Sequence, residues 1–149
     1  MAGIPNTYRV CEASVGFPSG DVAKLLLRVA LGLLILLHGI AKIKGGLGPI
    51  PDMVARMGLP AAFAYAAYLG EVVAPILLIV GLWTRVAALV VAINMVIAIA
   101  LVHVHDLVRL GNQGGYALEL QALYVVVAIA VVLLGAGRYS VGGSGGRWN

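Results

Sequence analysis

The sequence predicts an all-α integral membrane protein, a four-helix bundle whose spans run antiparallel, up and down. The first observation is compositional. Of 149 residues, 62% are hydrophobic and 11% are charged, against about half and about a quarter in a soluble domain. The mean hydropathy of +1.03 agrees. Six acids and ten bases cannot coat the surface that a chain of this size turns to water. The second observation is that four apolar windows each reach the roughly 20 residues needed to cross a bilayer core. The third is that the segments between them carry the glycines, prolines and charges of loops. The same composition excludes a disordered chain, a collagen repeat and, with a single cysteine at Cys11, a disulfide scaffold.

In chain order, residues 1–21 are mixed and read as an interfacial or loose segment, followed by a transmembrane domain over residues 22–141. The first span covers residues 22–42. No compact basic start leads straight into its apolar run, and no small-x-small cleavage site follows Leu37, so it reads as a retained helix rather than a secretory signal. Lys44 to Leu59 holds four glycines and two prolines and is the long loop. Pro60 to Trp83 is the second span. Trp83-Thr84-Arg85 is a tight turn, which makes the second and third spans antiparallel neighbours. The third span runs from Arg85 to His105, a short polar loop covers Asp106 to Gly115, and the fourth span runs from Tyr116 to Gly135. Residues 142–149 are rich in Gly and Ser and read as a flexible tail.

Four spans place both termini on one side. That side holds Arg9, Lys24, Arg28, Arg85, Arg138 and Arg147; the other holds Lys42, Lys44, Arg56 and Arg109. The excess of bases favours cytoplasmic termini. Arg28, near the inner end of its span, is expected to snorkel to headgroups. Because the bases are scattered and form no stripe with interleaved aromatics, nucleic acid is not an expected partner. The lipid bilayer is.

Lipid offers no hydrophobic drive for helix association, so small residues that permit close approach are the expected contacts. Gly32 and Gly39 share a face of the first span. Ala66, Gly70 and Ala74 form a stripe on the second, and Ala88 and Ala92 on the third.

Polar residues inside a membrane are costly, and each is a candidate for function. Glu71 lies eleven residues past Pro60, near mid-bilayer at about 1.5 Å per residue. Pro75 follows four residues later and cannot donate to the carbonyl of Glu71. A carboxyl and a freed carbonyl thus meet at an expected kink. They suit a ligand, a proton path or a bond to a neighbouring helix, and the sequence leaves these open. His38 and Lys42 are four apart and share a helix face. Asn94 is central in the third span, with His105 about three turns on beneath the same face and His103 pointing roughly opposite. In the fourth span Glu119 is taken as a turn in from the loop, with Gln121 pointing away. The joint expectation is a polar pocket in the outer half lined by His38, Lys42, Glu71, Asn94, His105 and Glu119. On a helix His103 and His105 diverge, so the pair makes a poor chelate and no metal site is expected. No phosphate-binding loop, dinucleotide fingerprint, CxxC or HExxH is present, so no catalytic residue and no cofactor motif is assigned.

Several pieces together carry a resemblance: LLRVALGLLILLHGIAKIKG over residues 26–45, YLGE ending at Glu71, LIVGLWTRVAALVVAINM ending at Met95, then GGYALE and LLGAGRYS ending at Ser140. Within them His38-Gly39-x-x-Lys42, Gly81-Leu82-x-Thr84-Arg85 and Gly135-x-Gly137-Arg138-Tyr139-Ser140 occur in order. From Leu25 to Val141 the chain resembles the DoxX-like family of small four-helix bacterial and archaeal membrane proteins. The resemblance implies recurring polar positions at His38, Lys42, Glu71 and Arg85. The family includes a subunit type of thiosulfate:quinone oxidoreductases. What this implies is a bacterial inner (plasma) membrane protein with redox associations: an accessory or quinone-facing subunit of an oxidoreductase complex, with quinone as ligand and other membrane or redox subunits as partners. In that case any metal or flavin belongs to the partner, and catalysis, if any, occurs only within the complex. A purely structural subunit, a small solute transporter or scaffold, and a homo-oligomer are the alternatives that the residues leave open.

Overall fold

The protein is described here by a computed structural model covering residues 19–111, 114–143, 145–146 and 148–149. Most of the expected interfacial segment, with Cys11, lies outside the described residues. Its last three positions, Ser19 to Asp21, already belong to the first helix. Five helices follow: α1 (Ser19–Gly45), α2 (Ile50–Arg56), α3 (Ala61–Val80), α4 (Thr84–Val102) and α5 (Glu119–Leu134). Helices α1, α3 and α4 are long and apolar enough to cross a membrane, and α5 is a shorter apolar helix of 16 residues, about 24 Å in length. These four alternate in direction and pack as a bundle. No strand occurs among the described residues; Leu110 and Tyr116 form an isolated bridge.

The core sits where α1, α3, α4 and α5 meet, at Leu31, Ile35, Leu78, Ala88, Val91 and Ala128. Small residues set the spacing, as the sequence suggests. A Cβ on Gly32 would come within 2.8 Å of Ile79 Cγ1 and 3.0 Å of the Pro75 carbonyl oxygen. Ala74, Ala88 and Ala92 are buried, whereas Ala66 is exposed. Outward-facing positions are large and apolar: Leu26, Leu37, Val126 and Leu133 are each more than 60% exposed. An apolar exterior around a close-packed interior is what a protein solvated by lipid requires. The chain is a multi-pass helical membrane protein.

One end of the bundle is closed by backbone chemistry. A helix leaves its last four carbonyls without intrahelical partners, and those of α3 find partners elsewhere in the chain. Its last four carbonyls are all met. Gly81, in the left-handed region at φ 76°, lets its own N–H and that of Leu82 reach the Leu77 oxygen at 2.8 and 3.0 Å. Arg28 Nη1 donates to the oxygens of Leu78 (2.9 Å) and Ile79 (3.2 Å). Val141 N donates to Val80 O. Arg28 Nη2 adds the carbonyl of Tyr139. The expectation that Arg28 snorkels is therefore corrected: it is 1% exposed, and its positive charge lies at the negative end of α3, where the helix dipole favours it. No Cβ fits at Gly81, since it would lie 2.1 Å from Arg28 Nη1.

The tail joins the same end. Trp83, at φ 48°, provides no side-chain cap for α4. Instead Asn149 Oδ1 accepts from Thr84 N (3.2 Å) and Thr84 Oγ1 (3.1 Å), and the Trp148 oxygen accepts from Arg85 N. Residues 142–149 thus include a buried Asn149 that caps α4. The tight turn runs over Gly81 to Trp83, and Thr84 is already helical.

Candidate functional site

At the opposite end the bundle opens around Glu71. The opening begins with Pro75. Without an N–H, Pro75 cannot continue the α-helical ladder at Glu71. Helix α3 relieves the break with a π-helical turn, Leu69–Val73, preceded by a 3-10 stretch, Ala61–Ala66. Such turns widen a helix locally and recur at functional sites. Glu71 lies within the π turn and is buried.

The neighbours are shaped to this turn. Helix α1 crosses it at Gly39, where a Cβ would lie 2.2 Å from the Glu71 carbonyl oxygen. On the other side Gly70 faces α4, and a Cβ there would lie 2.3 Å from Asn94 Cγ. The close approach at Gly39 brings Lys42, less than one turn further along α1, over the carboxylate. Lys42 Nζ donates to Glu71 Oε1 in an ion pair. Tyr68 Oη donates to the Lys42 carbonyl at 3.2 Å and ties α3 to α1 at the same level. The second carboxylate oxygen, Oε2, is buried and has no hydrogen-bond partner among the described residues.

Lys42 and Glu71 both line a cavity of about 890 Å³, within the few-hundred to thousand Å³ range of small-molecule sites. Its walls are mainly apolar, with Ile35, Val90, Ile93 and Leu101 among them. Its roof is the loop that the sequence shows as irregular. That loop contains α2, whose Val54 is buried toward the cavity, and glycines at positive φ stand on both sides of it, at Gly46, Gly48 and Gly58.

Of the six residues expected to share a pocket, four line this cavity: His38, Lys42, Glu71 and Asn94. His38 Nδ1 lies 3.0 Å from the Leu34 oxygen. A carbonyl can only accept, so Nδ1 donates, and in the neutral ring Nε2 is left an acceptor. The His38 ring is edge-on to Tyr124, with centroids 6.2 Å apart. Glu119 is elsewhere. It is exposed and lines a separate hollow beside Gly115 with Tyr116. The reason is the start of α5: Glu119 is its first residue rather than a turn inside it, a position where an acid complements the helix dipole. Gln121, expected to point away, lines the main cavity. His105 falls in the 3-10 turn Val104–Asp106, and its side chain lies outside those described. Helix α4 ends at Val102, so helical phase no longer applies beyond it, and His103 turns to the cavity with its Nδ1 3.3 Å from Asp106 Oδ2. Tyr124, also in the wall, carries the helical spacing of an ordinary core residue and gives no separate signal in the sequence. Arg85, the fourth position implied by the resemblance, stands at the closed end and donates from Nε to the Asn149 oxygen at 3.1 Å.

This arrangement of a broken second span, a close α1 crossing at Gly39 and a tight α3–α4 turn lies within the part of the chain that a family model recognises. The sequence model of DoxX matches residues 23–104, more than half of the chain. The chain belongs to the DoxX family. The matched DoxX region contains all but the first four residues of α1 and the whole of α2 to α4, and with them His38, Lys42, Glu71, Asn94 and His103. Over 81 residues the chain is 33% identical to a curated protein of Bacillus subtilis (strain 168) named "Putative oxidoreductase CatD". That match covers 54% of this chain and 60% of the relative. No solved structure matches.

Proposed function

We propose that this DoxX protein is an accessory, quinone-facing subunit of a membrane oxidoreductase complex in the bacterial inner (plasma) membrane, with both termini cytoplasmic. The observation that carries the reading is the Lys42–Glu71 pair in the wall of a large, mainly apolar cavity. An apolar chamber with a few convergent polar groups at one side is the form of a site for an amphiphile: a ring or tail against the walls, a polar head at the charges. A quinone fits that description, with Lys42 and the Asn94 amide as donors for its carbonyl oxygens and Glu71 holding Lys42 in place. A charge pair kept inside a membrane bundle is costly, which is why such residues mark ligand and proton paths. The name of the Bacillus relative supports an oxidoreductase setting, and the excess of bases on the terminal side supports the orientation. Electron transfer to or from the ligand belongs to partner subunits carrying the redox groups.

Gentle extraction of the complete protein from its own membranes, followed by native mass spectrometry, tests this reading. The expected result is a mass well above that of the single chain, with a redox enzyme and a quinone attached. A bare chain or a homo-oligomer, obtained again under milder extraction, contradicts it.

A further inference from the structure

We infer that the cavity selects the reduced, hydroquinone form of its ligand, with Glu71 Oε2 accepting a hydrogen bond from a phenolic hydroxyl; this rests on the quinone-facing reading above. The observation is an imbalance between donors and acceptors. Glu71 is 5% exposed, and its Oε2 is buried without a hydrogen-bond partner among the described residues, while Oε1 is already held by Lys42. An ionised carboxylate only accepts, and a buried acceptor left unmet is costly. A ligand that answers Oε2 must bring a donor, and the Glu71 side chain must turn to present Oε2 to the cavity, since the atom is buried as it stands.

An oxidised quinone has none, since both its oxygens accept. A hydroquinone brings two hydroxyls. The other polar groups in the wall discriminate less: of them only His38 Nε2 is an acceptor alone, and in the neutral ring it is a weaker acceptor than a carboxylate. The ammonium of Lys42 has three N–H groups, one of them on Oε1, so it can serve either a carbonyl or a hydroxyl oxygen. The amides of Asn94 and Gln121, both in the lining, each donate and accept. His38, held at Nδ1 by the Leu34 carbonyl, contributes an acceptor at Nε2 in its neutral form. Redox-state selection therefore falls mainly on Glu71, because a hydrogen bond to a charged acceptor is the strongest available in this wall.

Binding to the full chain in lipid nanodiscs tests this under argon, by equilibrium dialysis against empty nanodiscs. Three probes share one short alkyl tail: the benzoquinol, the benzoquinone and the dimethyl ether of the quinol, which keeps the ring and loses both donors. The quinol is expected to bind at least about tenfold more tightly than the quinone or the ether. Glu71→Gln should bring the three together, within about threefold, because a neutral amide oxygen is the weaker acceptor. Equal affinity of all three for the native protein overturns the selection and leaves the quinone-facing reading standing. Failure of all three to exceed empty nanodiscs overturns both. A quinol preference that survives Glu71→Gln overturns the role of Glu71. If that variant does not fold, the ether comparison on the native protein decides alone.

Discussion

The two ends of the bundle each bury a charged side chain, and they treat it in opposite ways. At the closed end Arg28 has no acidic partner among the described residues; it donates to the carbonyls of Leu78, Ile79 and Tyr139. It completes the end of α3 and adjoins the Gly81 turn. At the open end Glu71 has a basic partner in Lys42, yet keeps a buried oxygen without one and lines a cavity of about 890 Å³. A polar residue in a membrane bundle is therefore not a functional signal by its type alone. Each keeps one buried atom without a hydrogen-bond partner among the described residues, Arg28 Nε and Glu71 Oε2; what separates the two is that Arg28 is held by backbone carbonyls at a helix end, whereas Glu71 lines a cavity. Arg28 acts as structure, and Glu71 retains capacity for a ligand.

The comparison breaks most visibly at Arg28. Arg28→Met removes the donors that serve the Leu78 and Ile79 carbonyls, the first buried and the second part-buried. At about 1–3 kcal/mol for each unmet group, a loss of about 3 kcal/mol or more is expected, read as a lowered midpoint in detergent-unfolding titrations. A variant that unfolds like the native protein would show that the closed end does not depend on this side chain.

A smaller effect is expected at Gly39→Ala. The added Cβ meets the backbone of Glu71, 2.2 Å from its oxygen and 2.8 Å from its carbonyl carbon, so no side-chain rotation relieves the clash. Helices α1 and α3 must separate. Overpacking of this kind costs about 1–3 kcal/mol, and the separation should also loosen the Lys42–Glu71 pair. The same titration, together with a disulfide cross-linking rate between cysteines placed on α1 and α3 at the level of Lys42, checks it. An unchanged rate would contradict the close crossing.

Much of this was legible in the sequence, and the exceptions have physical causes. The four spans, their alternation and the short α3–α4 turn follow from apolar length and loop composition. Pro75 announced a break opposite Glu71, and Gly39 and Lys42 sit at the spacing that brings a lysine to it. The π turn itself is not legible, because a helix can answer a proline by kinking or by widening, and the choice depends on what packs against it; here that is Gly39 and Gly70. Arg28 misled because snorkelling is the usual behaviour of a basic residue near a span end, whereas the carbonyls that hold it lie about fifty and more than a hundred residues away in sequence. Glu119, Gln121 and His103 were misplaced for one shared reason. Helical phase was extended through residues where helices start or stop: α5 begins at Glu119 and α4 ends at Val102. Near helix ends, direction is set by caps and turns rather than by the 3.6-residue period.

The most direct test is photolabelling in native membranes. A quinol carrying a photoreactive group on its ring is bound to the complete protein, irradiated, and its attachment sites mapped by peptide mass spectrometry. The account predicts labelling concentrated on the cavity walls, in Leu69 to Val73 and around Asn94, displaced by excess unlabelled quinol and weakened in Glu71→Gln. Labelling spread over outward-facing positions such as Leu26, Leu37 and Leu133, without displacement, would show that the ring stays in the lipid and that the Lys42–Glu71 cavity is not its site.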